Sequence, residues 1–131
     1  LAVGADGVHC PEEGLPPDVI KDYAPELTVG VSVHSSEAAR KAEKSGADFL
    51  LFGPVFATPS KPMAQPQGVK GLKKITAQSR IPVLAIGGMT PGRAGECLAA
   101  GAQGVAGISS ILGSNQISRT VNEYARNLGS L

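Results

Sequence analysis

Along this chain, short apolar runs that stop abruptly at small or polar residues alternate with stretches whose apolar residues recur every three to four positions. The runs fall at about 7–10, 28–33, 48–53, 82–87 and 103–108. Two are especially sharp: Ile81-Pro82-Val83-Leu84-Ala85-Ile86 ends in Gly87-Gly88, and Val105-Ala106-Gly107-Ile108 ends in Ser109-Ser110. Continuous apolar runs of this length, bounded by turn residues, predict buried strands of a parallel sheet. Helical periods lie between and after them. Pro16-Pro17-Asp18 opens one helix, since proline suits a first turn that needs no N–H donor. Ser35 or Ser36 caps the next, with Glu37 in its first turn and Ala38, Ala39 and Ala42 facing inward. Val69, Leu72 and Ile75 share one side of a third, while Lys70, Lys73 and Lys74 form its solvated face. Thr90-Pro91 makes an N-cap and first-turn pair ahead of an Ala94, Cys97, Leu98 stripe. Ile117, Val121, Tyr124, Ala125 and Leu128 define the last helix.

A three-residue signature punctuates this alternation. Gly4-Ala5-Asp6, Gly46-Ala47-Asp48 and Gly101-Ala102-Gln103 each precede an apolar run, and the later two each follow a helical pattern. Glycine there suits the left-handed position just past a helix C-terminus. The recurrence implies repeated βα units rather than a bundle or a sandwich. Residues 54–68 form the longest irregular segment, rich in proline and carrying Thr58, Ser60 and Lys61. Following a strand, it belongs to the active face of an α/β barrel and reads as a substrate-covering loop.

The fold class is therefore α/β, of the (β/α)8 TIM-barrel type, with about five βα units in one partial-barrel domain spanning residues 1–131. Five strands do not close an eight-stranded barrel, so two edges stay unpaired. The expectation is that upstream units are missing, that a partner or second copy covers the edges, or that the sheet stays open. The start at Leu1, without Met, favours an incomplete chain. Glycine and serine at the ends of the last two strands bare backbone N–H groups, and consecutive corners of this kind hold phosphate in such barrels.

Composition narrows the partners. A net charge of +1 leaves no broad electrostatic case for nucleic acid or a membrane surface. No apolar run approaches the roughly 20 residues needed to span a bilayer, and the first residues lack the basic start of a signal peptide. Cys10 and Cys97 lie far apart without metal-ligand spacing; they fit a reducing, cytoplasmic setting as small buried hydrophobes. His9 and His34, at strand ends, are expected to be hydrogen-bonded structurally.

Five segments, in order, resemble the thiamine phosphate synthases and their TenI-type relatives: Asp6-Gly7-Val8-His9, Gly30-Val31-Ser32-Val33-His34-Ser35, Phe52-Gly53-Pro54-Val55-Phe56-Ala57-Thr58-Pro59-Ser60-Lys61, Ala85-Ile86-Gly87-Gly88 and Gly104-Val105-Ala106-Gly107-Ile108-Ser109-Ser110-Ile111. The resemblance covers nearly the whole chain, as strands four through eight of that barrel. It implies condensation of hydroxymethylpyrimidine diphosphate with a thiazole phosphate, giving thiamine phosphate and pyrophosphate with Mg²⁺. It assigns the thiazole phosphate to backbone donors of Gly88, beside Gly87, and of Ile108 and Ser109. Thr58 and Ser60 supply hydroxyls near the thiazole and its phosphate, Lys61 supplies charge, and Ser32 faces the departing pyrophosphate. The family's Mg²⁺-ligating Asp aligns with Gly14 here, leaving Glu12 or Glu13 as substitutes. The TenI-type tautomerase's proton-transfer His aligns with Pro54. A TenI-type thiazole tautomerase and a non-catalytic thiazole-phosphate binder therefore stand beside the synthase. Phosphate-binding barrels of indole or histidine biosynthesis share the two corners, but are not expected to share the Gly-Pro-Val-Phe segment with its Thr-x-Ser-Lys loop.

Overall fold

The structure, a computed structural model, describes residues 2–129. Five parallel strands pair in chain order: β1 (Gly7–Cys10), β2 (Thr28–Val33), β3 (Phe49–Phe52), β4 (Val83–Ile86) and β5 (Gly104–Ala106). Each pair of successive strands is joined through a helix: α1 (Pro17–Tyr23), α2 (Ser36–Lys44), α3 (Gly68–Gln78) and α4 (Pro91–Ala99). Two more follow β5, α5 (Ser109–Leu112) and α6 (Ile117–Asn127). This is a partial (β/α)8 architecture. Among the described residues, β1 and β5 each pair along one edge only.

Period-2 alternation divides the sheet into unequal faces. Val29, Val31, Val33, Leu50, Phe52, Val83 and Ala85 are buried and form the core with Ala39 and Ala42 of α2, Leu72 and Ile75 of α3, and Ala94 and Cys97 of α4. The alternate residues (Ser32, Phe49, Leu51, Leu84, Ile86) line the inner face and are only half-buried. Gly30 pairs with Phe49, and a Cβ on Gly30 would lie 2.1 Å from that ring. The ring thus fills the space that Gly30 leaves on the inner wall.

Local signals act where the sequence places them. Ser35 is the N-cap of α2, its hydroxyl accepting the Ala38 N–H at 3.1 Å. Thr90 caps α4 with Pro91 in the first turn. Gly46 and Gly101 take φ of +95° and +93° just past α2 and α4, and the residue after each Gly-Ala pair joins the neighbouring strand. The Asp48 N–H donates to the Val29 carbonyl at 2.8 Å, and the Gln103 N–H to the Val83 carbonyl at 2.9 Å.

Some expectations need correction. β3, β4 and β5 are each shorter than their apolar runs, because Gly53, Gly87 and Gly107 leave the ladder early. A short helix that the apolar pattern did not predict, α5, begins at the Ser109-Ser110 corner ahead of α6. The apolar stripe of α6 is not wholly buried. Tyr124 is, whereas Ile117 and Val121 stay 48% and 44% exposed, since α6 rests on α4 and α5 at the end of the sheet. No helix among the described residues is long and apolar enough to cross a membrane.

Asp48 pins the base of the sheet. Its carboxylate accepts from Lys21 Nζ and from the Val29 N–H, both at 2.7 Å. The Lys21 hydrogen bond, followed by the Val29 one, holds the Asp48 carboxyl below its ordinary value. A lowered folded pKa contributes stability that is present above the unfolded carboxylate range and lost as pH falls through the folded value. The side chain is 41% exposed, so solvent weakens the ion pair. Asp48→Asn is expected to cost about 1 kcal/mol at neutral pH. Urea unfolding should show that difference shrinking as pH is lowered through the acidic range.

Candidate functional site

At the C-terminal ends of β2 to β5 lies a cavity of about 130 Å³, closed on one side by the loop that follows β3. The eight residues expected to bind substrate or act on it line it: Ser32 from β2, Thr58, Ser60 and Lys61 from the loop, Gly87 and Gly88 after β4, and Ile108 and Ser109 after β5. Their roles stand apart from their placement, but the fold brings all eight to one wall-and-lid arrangement.

The glycine corner is built by backbone pairing. The Val55 N–H donates to the Ile86 carbonyl at 2.9 Å, and the Phe56 N–H to the Gly87 carbonyl at 3.1 Å. A trans peptide points its N–H opposite its C=O. Tying the Gly87 carbonyl to the loop therefore turns the Gly88 N–H away from it, with no acceptor among the described residues. Gly87 and Gly88 have φ of +101° and +59°, a backbone region open to glycine. Space makes the same demand: a Cβ on Gly88 would lie 2.3 Å from the Ala57 carbonyl oxygen, and one on Gly87 2.5 Å from Pro54 Cα.

The neighbouring corner is held from behind. Ser110 Oγ and Tyr124 Oη hydrogen-bond at 2.7 Å, anchoring it to α6. The Ile108 carbonyl accepts from Ile111 and Leu112, while Ser109 and Ser110 keep first-turn N–H groups without helical partners. Two sets of unpaired amides on adjacent strands suit an anion. Across from them, Thr58 is half-buried, and Lys61 is exposed and in no ion pair among the described residues.

Both histidines are hydrogen-bonded, as expected. His9 Nε2 lies 2.8 Å from Ser32 Oγ, steadying that hydroxyl on the inner wall. His34 donates Nδ1–H to the Gly53 carbonyl, and its backbone N–H reaches Glu12 Oε2 at 2.7 Å. Among the cavity residues that the sequence reading did not name as site members are His34 and the buried Met89. The signal for His34 was its spacing, two residues beyond Ser32 on the same strand face. Cys97 packs 4.0 Å from Met89 Sδ, and burial pushes its thiol pKa up, so it is packing rather than chemistry.

The expected metal position does not fit. Pro11 to Gly14 is a tight turn closed by the Gly14 N–H on the Pro11 carbonyl at 2.9 Å. A Cβ at Gly14 would lie 2.9 Å from Pro11 Cδ, so this turn has no room for the family's carboxylate. Glu12 and Glu13 line a different cavity, beside α2, and one Glu12 oxygen is already taken by the His34 amide. No group of three metal-ligating side chains occurs among the described residues.

A parallel sheet with two adjacent glycine and serine corners and a strapping loop at its C-terminal strand ends has the layout of one part of a (β/α)8 barrel. The chain belongs to the thiamine monophosphate synthase family, whose sequence model matches residues 1–111. The thiamine-phosphate synthase of Pyrococcus furiosus is 45% identical over 126 residues, covering 96% of this chain and 61% of the relative. That of Moorella thermoacetica is 44% identical over 119 residues, covering 89% and 57%. A solved thiamine phosphate pyrophosphorylase from Pyrococcus furiosus superposes with a TM-score of 0.89 at 41% identity, covering 98% of this chain and 61% of that one. A 3-hexulose-6-phosphate synthase shares the fold alone, at a TM-score of 0.75 and 18% identity. The chain thus spans about three-fifths of the relatives it matches.

Gly88→Ala is expected to destabilise the fold by about 1–3 kcal/mol, through left-handed strain and collision with Ala57. Denaturant titration measures that loss. Amide NMR shifts should spread to Val55 and Phe56, the residues tied to the corner.

Proposed function

We propose that this chain supplies the thiazole-phosphate half of a thiamine phosphate synthase. The observation that carries the reading is the meeting of Ser32, Thr58, Ser60 and Lys61 with both amide corners around one cavity. The phosphoryl group of the thiazole takes the N–H groups of Gly88, Ile108 and Ser109, with Thr58 and Ser60 holding the ring end. The C–O bond of the pyrimidine diphosphate breaks heterolytically and its electron pair leaves on pyrophosphate. The thiazole nitrogen lone pair then forms the new C–N bond, and no proton has to move. Lys61 and the Ser32 hydroxyl, steadied by His9, stabilise the charge growing on the leaving group. A Mg²⁺ ion on that pyrophosphate would find no group of three metal-ligating side chains among the described residues.

The pyrimidine side needs the remaining wall of the barrel. Three βα units of eight are about two-fifths of a barrel, matching the share of each relative that this chain leaves unmatched. Those units, rather than a second copy, are the proposed cover for the inner face and the edges of β1 and β5. Two free, buried thiols agree with a cytoplasmic setting. The tautomerase alternative is disfavoured by Pro54, which is buried against the glycine corner and has no proton to transfer. A non-catalytic binder keeps the same cavity and is separated from the synthase by turnover.

Calorimetric titration of the chain with thiazole phosphate should give 1:1 binding, at least about tenfold tighter than the dephosphorylated alcohol. Equal affinity, or none, removes the reading. With both substrates in the complete protein, Lys61→Ala should slow pyrophosphate release by about 10²-fold. Binding without any release in the unmutated protein would instead favour the non-catalytic binder.

A further inference from the structure

A cation stands where the helix dipole least favours one. Arg93 is the third residue of α4, behind the Thr90 cap, in a first turn that carries no acidic side chain. Positive charge at a helix N-terminus is disfavoured by about 0.3–1 kcal/mol, so its retention needs a compensating partner. Two are present. Arg93 Nη1 donates to the Gly88 carbonyl at 2.6 Å, and the guanidinium carbon lies 4.5 Å from the centroid of the Phe56 ring. Arg93 is half-buried, which strengthens both contacts.

These contacts fall on both sides of one joint. Phe56 is the loop residue whose N–H holds the Gly87 carbonyl, and Gly88, whose N–H has no acceptor among the described residues, lines the cavity. One planar side chain therefore clamps the loop from its ring side and the corner from its carbonyl side. We infer that Arg93 is a positioning residue that locks the Phe56 segment of the loop onto the Gly87–Gly88 corner and so sets the site's preference for a phosphorylated ligand. Its charge also adds to the positive potential at the joint without lining the cavity. The inference rests on the phosphate reading of that corner.

The test is a calorimetric comparison of thiazole phosphate with its dephosphorylated alcohol, for the unmutated chain, Arg93→Met and Arg93→Lys. Arg93→Met keeps much of the aliphatic packing but loses charge, fork and ring stacking. It should lose about tenfold in affinity for the phosphorylated ligand while alcohol binding stays within about twofold. Arg93→Lys should recover part of the loss, because charge returns without the planar fork. A phosphate-to-alcohol ratio unchanged in Arg93→Met overturns the inference and leaves the phosphate reading intact. No phosphate preference in the unmutated chain overturns both. Should Arg93→Met not fold, Arg93→Gln, which keeps a planar donor without charge, must show the same loss of phosphate preference, and an unchanged ratio there is equally fatal.

Discussion

The backbone tie between the loop after β3 and the corner after β4 is the constraint on which this site depends. Two loop amides, Val55 and Phe56, are spent on the carbonyls of Ile86 and Gly87. Because the peptide is planar, occupying one side of it frees the other. The Gly88 N–H thereby becomes a donor held in place before any ligand arrives. Preorganised donors of this kind need little rearrangement to meet an anion. The same tie carries Thr58, Ser60 and Lys61 to the cavity, so the loop and the glycine corner are one connected unit.

The two faces of the sheet follow from this division of labour. The helix-covered face is finished: Val29, Val33, Leu50, Phe52 and Leu72 are essentially inaccessible. The inner face is not, since Phe49, Leu51, Leu84 and Ile86 remain half-exposed and β1 and β5 lack outer neighbours among the described residues. An apolar inner wall flanked by unpaired edges is what a barrel interior looks like before its remaining strands are added. The relatives, longer by the share this chain leaves unmatched, accord with that geometry. Ser32 and His9 stand on this wall, where the second substrate of the proposed reaction would be enclosed.

Much of this was legible in the chain's pattern. Ser35, Thr90-Pro91 and the Gly46 and Gly101 stops act through contacts within a few residues, so helix boundaries follow from local chemistry. The eight candidate site residues came from the family resemblance, and the structure places each of them around one cavity at strand ends or in the loop after β3. The Glu12 and Glu13 alternative for a metal ligand was not settled by spacing. It depends on how Pro11 closes its turn onto Gly14, and on the His34 amide that claims Glu12. Arg93 carried a signal in its misfit with the helix dipole, but no local rule names the partner that offsets it.

From sequence alone come the βα alternation, the caps, the parallel strands and the identity of the small residues at their ends. Those depend on periodicity and on backbone preferences expressed within one or two turns of chain. Only the tertiary structure decided that residues 23 to 37 positions apart meet: His9 with Ser32, Arg93 with Phe56, the loop amides with the glycine corner. Such contacts are set by sheet register and by how a loop folds back across a strand end, and neither is encoded in any single stretch of residues.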